Sequence, residues 1–176
     1  MAAHQKDIYV GFIDYTQAYD EVHHAKLMEV LTKAGVPDHK TRLIAELCRN
    51  QTAKVKTNPG TTVDISILRG VTQGCVLSPA LFNLCTKFLL QEVLKEKRGI
   101  TFNDENFTNV RYADDTVIMA ETPESLQQML DSIAKRYKTY GMEVNAKKTK
   151  IMHIGKEKKK ISILIDGTPL EKVTKY

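Results

Sequence analysis

Two adjacent carboxylates, Asp114 and Asp115, interrupt the apolar segment NVRYADDTVIMA (109–120), and no other feature restricts the fold as strongly. The flanking residues favour a β-strand, from which carboxylates are depleted, and a buried unpaired charge is costly enough that it neutralises or finds a cation. The pair is therefore expected at a tight turn between two strands, where something positive can reach it. A plain polar turn is the simpler alternative, since Asp is common in turns. The apolar β residues on both sides weigh against it, and so does a further acid in a similar setting. DIYVGFID (7–14) is apolar at both parities, as in a strand buried on both faces, and it ends in Asp14. Strand alternation puts Asp14 on the face of Ile8, Val10 and Phe12.

Helical and strand patterns interleave along the rest of the chain. Leu27, Val30, Leu31 and Ala34 recur at helical spacing from about Glu21 until GVP (35–37) stops the pattern, and Asp38 is placed to cap a second helix carrying Leu43, Ile44 and Leu47. AKVKTNPGTTVDISIL (53–68) predicts a hairpin around Asn58-Pro59-Gly60, with Val63, Ile65 and Ile67 alternating. The loop RGVTQGC (69–75) leads into a long helix with Leu81, Leu84, Cys85, Phe88 and Leu89 on one face. The clearest helix follows Ala120. It has Thr122 as N-cap, Pro123 at its first position, Leu126, Met129, Leu130, Ile133 and Tyr137 along one stripe, and Gly141 at its end. Short strands near 150–153 and 161–165 complete the pattern. Helices alternating with mostly antiparallel strands predict an α+β fold, an antiparallel sheet with helices packed on one face.

At 176 residues the chain has the size of one domain. Its 26 Lys and Arg against 21 Asp and Glu leave a net charge of +5, which favours a polyanionic partner. Lys147, Lys148, Lys150, Lys156, Lys158, Lys159 and Lys160 concentrate that charge in one span, and GKEKKK (155–160) reads as a solvated turn or a phosphate-facing patch. Cys48, Cys75 and Cys85 are odd in number and lack zinc or disulfide spacing, which favours a reducing interior. With no leader pattern and no apolar run long enough to span a bilayer, an intracellular protein, nuclear or cytoplasmic and not secreted, is expected.

If Asp14 lies beside the 114–115 turn, three carboxylates converge at one sheet edge, which is tolerable only with cations between them. Hard oxygen ligands suit Mg²⁺, and two such ions held ~3.5–4 Å apart clamp the attacking and leaving oxygens of phosphoryl transfer. FIDYTQAYDEV (12–22), RGVTQGCVLSPALFNL (69–84), YADD (112–115) and YGMEVNAKKTK (140–150) stand in the order and spacing of reverse transcriptase motifs A, B, C and D. The chain resembles the palm domain of non-LTR retrotransposon reverse transcriptases, of the RTE and jockey kind.

The resemblance implies a ferredoxin- or RRM-like palm over residues 1–176, running into the start of motif E and lacking most of the fingers and the thumb. It implies an RNA-directed DNA polymerase that uses two Mg²⁺ ions, with Mn²⁺ as a substitute, and takes an RNA template, a DNA primer and deoxynucleoside triphosphates. Asp14 and Asp114 then coordinate the ions and Asp115 completes the triad. Tyr19 lies under the incoming sugar and excludes a 2′-hydroxyl, while Gln73, Gly74 and Tyr112 contact nucleotide and template. Lys148 becomes a candidate general acid for the leaving pyrophosphate. Thr72 stands where the family commonly has Arg, and Tyr19 replaces a more usual Phe.

Outside the motif context these residues have blander roles. Asp20 is expected as a helix N-cap, His23 and His24 on an exposed helix start, Lys148 on a solvated face, and the cysteines as core or inert surface. A retroelement-derived fragment that binds nucleic acid without polymerising is the alternative function. A nuclease using the same acids has no support beyond the acids.

Overall fold

A computed structural model describes residues 6–16, 22–49, 51–56, 58, 60–67, 69–70, 76–97, 99–112, 115–155 and 161–175. The chain forms two compact units, Gln17–Phe88 and a second made of Met1–Thr16 with Leu89–Tyr176. In chain order the first elements are β1 (Ile8–Ile13), β2 (Tyr15–Thr16), α1 (His24–Lys33), α2 (Asp38–Cys48), β3 (Thr52–Ala53), β4 (Ile65–Ser66) and α3 (Ser78–Leu94). Next come β5 (Ile100–Phe102), β6 (Glu105–Phe107), β7 (Asn109–Tyr112), β8 (Asp115–Ala120) and α4 (Pro123–Lys138). The last are β9 (Glu143–Val144), β10 (Lys150–Ile154), β11 (Leu164–Ile165), β12 (Thr168–Pro169) and β13 (Glu171–Val173).

The unit that carries both termini is built on a five-stranded sheet in the order β13-β10-β1-β8-β7. Its central strand, β1, pairs antiparallel with β8 from Tyr9↔Ala120 to Ile13↔Thr116, and with β10 from Ile8↔Ile154 to Phe12↔Lys150. The edge strand β13 runs parallel to β10, the one departure from an antiparallel sheet. These registers sort the side chains by face. Tyr9, Ile13, Thr116, Ile118, Ala120 and Ile151 share the buried face that α4 covers with Leu126, Met129, Leu130, Ile133 and Tyr137. Gly11 lies on that face because a Cβ there would stand 3.1 Å from Ile118 Cγ1 and 3.5 Å from Leu126 Cδ1. Ile8, Val10, Phe12, Val117, Met119, Lys150 and Met152 take the other face, where Val110, Tyr112 and Ile154 are exposed.

Local signals define α4 at both ends. The Thr122 side chain accepts a hydrogen bond from the Ser125 N–H, and Pro123 occupies the first turn. At the far end Gly141 adopts φ 79°, and the Met142 N–H reaches back to the Tyr137 carbonyl at 3.1 Å.

In the Gln17–Phe88 unit, α1 buries Leu27, Val30 and Leu31 as its spacing predicts. The reading of α2 needs correction in two respects. Its N-cap is Pro37, with Asp38 inside the first turn, and Leu43 and Leu47 are 64% and 59% exposed, while Cys48 is buried. The predicted hairpin forms through β3 and β4, yet Val63 and Ile65 are exposed. Apolar spacing shows which side of an element is apolar, and burial needs a neighbour to cover it. His24 also differs from the expected exposed residue: it is half-buried, and its Nε2 lies 2.7 Å from the Gly70 carbonyl oxygen. Among the described residues no helix is long and apolar enough to cross a membrane.

Candidate metal and nucleotide site

Asp14 stands where the central strand changes partners. The preceding residue, Ile13, pairs with Thr116 of β8, whereas the following residue, Tyr15, pairs with Val144 of β9. Extending the β1–β8 register by one step brings Asp14 opposite Asp115, and alternation sends both away from the α4 face. The neighbouring side chain is anchored on the opposite side. Tyr15 stacks on Tyr137 with ring centroids 5.2 Å apart, and its hydroxyl donates to Thr116 Oγ1 at 3.0 Å. With residue 15 held against α4, residue 14 is committed to the other face.

The Asp14 main chain is held at both polar groups. Its N–H donates to Thr149 Oγ1 at 3.2 Å, and its carbonyl accepts from the Asn145 N–H at 2.8 Å. Its side chain is not satisfied in the same way: Oδ1 is buried and has no hydrogen-bond partner among the described residues. A buried carboxylate oxygen in that state carries an unrelieved desolvation cost. A cation relieves it, so Asp14 together with Asp115 fits a divalent metal with hard oxygen ligands.

The other expected site residues divide into two groups. Tyr112 is 83% exposed and pairs directly with Asp115 across the β7–β8 hairpin. Asp115 is the first residue of β8 rather than part of the turn. Lys148 is exposed, and its backbone N–H bonds to the carbonyl and Oδ1 of Asn145, each at 3.2 Å. The neighbouring Lys150 is committed to an ion pair with Glu171. Tyr19, Gln73, Gly74 and Asp114 lie outside the described residues, as do Asp20 and the lysines at 156 and 158–160. Among the described residues no group of three or more His, Cys, Asp or Glu side chains stands together as a metal would require. Asn145 and Thr149 escaped the sequence reading, although Asn is a turn former whose side chain bonds the backbone two residues on, as Asn145 Oδ1 accepts the Lys147 N–H here.

The sequence matches the family described as reverse transcriptase (RNA-dependent DNA polymerase) over residues 1–167. The chain belongs to the reverse transcriptase family. It is 31% identical over 157 residues to the Retrovirus-related Pol polyprotein from type-1 retrotransposable element R2 of Nasonia vitripennis, covering 88% of this chain. It is 28% identical over 162 residues to the type-2 R2DM polyprotein of Drosophila melanogaster, covering 92% of this chain. The reverse transcriptase chain spans only 15% of either polyprotein's length. Its fold is similar to telomerase from Candida albicans, solved in complex with a telomeric RNA fragment, at TM-score 0.60 and 20% identity over 93% of this chain and 29% of that one. Apo telomerase from Candida tropicalis gives TM-score 0.58 at 19% identity, over 94% of this chain and 34% of that one. The fold is the α+β reverse transcriptase palm anticipated from the motifs.

Proposed function

We propose that this chain is the palm portion of an RNA-directed DNA polymerase and contributes the carboxylates of its reaction centre, most of the fingers and the thumb lying elsewhere. The observation that carries the reading is the buried, unpartnered Oδ1 of Asp14 just past the last β1–β8 pair, Ile13↔Thr116, where Asp115 begins β8. Asp14 and Asp114 would hold two Mg²⁺ ions, for which Mn²⁺ could substitute, with Asp115 completing the triad. When bound, the ions supply electrostatic stabilisation as a primer 3′-hydroxyl attacks the α-phosphate of a deoxynucleoside triphosphate.

The chain's own residues position the reactants. Tyr19 closes off the space a 2′-hydroxyl needs. Gln73, Gly74 and Tyr112 line nucleotide and template, with glycine permitting close backbone approach. Lys148 delivers a proton to the leaving pyrophosphate oxygen. The partners are an RNA template, a DNA primer and a deoxynucleotide, and the setting is intracellular. The telomerase likeness supports the fold part of this reading, and the R2 relatives support its chemistry.

Primer extension on an RNA template with Mg²⁺ tests it, comparing wild type with Asp114→Asn. Loss of incorporation in the variant is expected. Unchanged incorporation removes the triad from the mechanism. Steeply salt-dependent binding of primer-template without incorporation by either protein favours the nucleic-acid-binding alternative for the isolated chain.

A further inference from the structure

A turn is inserted into the strand that flanks Asp14. Phe12 pairs with Lys150, whereas Tyr15 pairs with Val144. Residues 13 and 14 of one strand therefore face residues 145–149 of its neighbour, where an ordinary bulge adds a single residue. The inserted residues close on themselves. The Thr149 N–H donates to the Asn145 carbonyl at 2.8 Å, and the N–H groups of Lys147 and Lys148 both donate to Asn145 Oδ1 at 3.2 Å.

In an antiparallel sheet the N–H and C=O of one residue point to the same neighbouring strand. At Asp14 that neighbour has left the ladder, and the turn takes its place. Thr149 Oγ1 accepts the Asp14 N–H, and the Asn145 N–H donates to the Asp14 carbonyl. Thr149 is fully buried, so no water substitutes for its hydroxyl. The same short turn carries Lys148.

We infer that Asn145 and Thr149 are positioning residues: they fix the peptide groups on both sides of Asp14, and so aim its carboxylate at the cation and hold Lys148 in register with it. This rests on the reading of Asp14 as a cation ligand. A hydroxyl is required at 149 because it must accept an N–H, and an amide or carboxylate oxygen is required at 145 to gather two N–H groups.

The test uses the 176-residue chain with Mn²⁺ as the probe, its free concentration read by electron paramagnetic resonance. Thr149→Val keeps the shape and removes the acceptor. It is expected to weaken Mn²⁺ binding about tenfold, because the freed Asp14 peptide no longer orients the ligand carboxylate. Thr149→Ser is expected to restore binding to about twofold of wild type, since its hydroxyl can make the same bond. If Thr149→Val does not fold, Asn145→Ala against Asn145→Asp asks the same question at a partly exposed position, with weakened binding expected only for alanine. A purely structural role lowers the unfolding midpoint and leaves the affinity of the folded protein unmoved. Wild-type affinity in Thr149→Val or Asn145→Ala, with binding lost in Asp14→Asn, overturns the inference alone. Binding that survives Asp14→Asn, or is absent from wild type, overturns the cation reading and this inference with it.

Discussion

Replacing Asp14 by Asn should stabilise the metal-free protein. Asp14 Oδ1 is buried without a hydrogen-bond partner among the described residues, and a second carboxylate, Asp115, stands one step beyond the last β1–β8 pair, Ile13↔Thr116. An unsatisfied buried acceptor costs ~1–3 kcal/mol, toward the lower end here because the residue is only half-buried. Like charges directly opposite on a sheet add about 0.2–1 kcal/mol. Asparagine keeps the shape and leaves an amide group in the same unsatisfied place, so only the charge is relieved and a gain of up to about 1 kcal/mol is expected. For a chain of 176 residues each kcal/mol moves the midpoint by roughly 2–4 °C, so the shift is at most about 4 °C. Circular dichroism melts in EDTA measure it directly. Adding Mg²⁺ should stabilise wild type by mass action and leave Asp14→Asn nearly unmoved, closing or inverting the gap. A variant less stable than wild type in EDTA, or a gap indifferent to Mg²⁺, refutes the reasoning.

Three further outcomes follow from the packing and the charges. Ile133 is fully buried between α4 and the sheet, so Ile133→Ala should cost ~2–5 kcal/mol, read from the urea midpoint at unchanged m-value. Hydrogen bonds from Lys33 and Lys26 hold the Glu29 carboxyl at about 2, down from 4.5. Because that value is depressed on folding, the stabilisation is present in full above about pH 4.5 and is lost as pH falls towards about 2; the stability difference between wild type and Glu29→Gln should shrink over that window, remaining small at this exposed site. Burial pushes the Cys85 thiol up to about 12, so iodoacetamide at pH 8 should label Cys85 only after denaturant is added, as peptide mapping by mass spectrometry will show.

What the sequence revealed about the fold was local in origin. Thr122, Pro123, the Leu126-to-Tyr137 stripe and Gly141 specify α4 through bonds and contacts within a few turns, and all of them stand as read. Alternation alone put Asp14 on the face of Val10 and Phe12, because a period of two leaves no other choice once one face is buried. Features that depend on distant partners were not legible. The parallel pairing of β13 with β10 is one, and the exposure of Leu43 and Leu47 is another. The short hairpin β5–β6 was also missed, although Asn103 and Asp104, with φ 49° and 62°, are the residue types that tolerate such a turn.

The site shows the same division. Asp14 and Asp115 stood out in the sequence because a carboxylate beside apolar strand residues contradicts local propensity, and in the proposed function they become metal ligands. The grip of Thr149 on Asp14 joins residues 135 positions apart, and a threonine at a strand start has nothing unusual about it until the register is known. Expecting Asp115 in the turn was an error of one residue, corrected by its pairing with Tyr112.

The most direct test is to locate the cation. Backbone amide spectra of the ¹⁵N-labelled chain, recorded as Mn²⁺ is added in substoichiometric amounts, report proximity to the ion residue by residue. Broadening should begin at Asp14, Asp115 and their neighbours Tyr15 and Thr116, and excess Mg²⁺ should reverse it. Broadening that starts elsewhere, or that leaves Asp14 and Asp115 sharp at saturation, contradicts the claim that these two acids share a divalent metal.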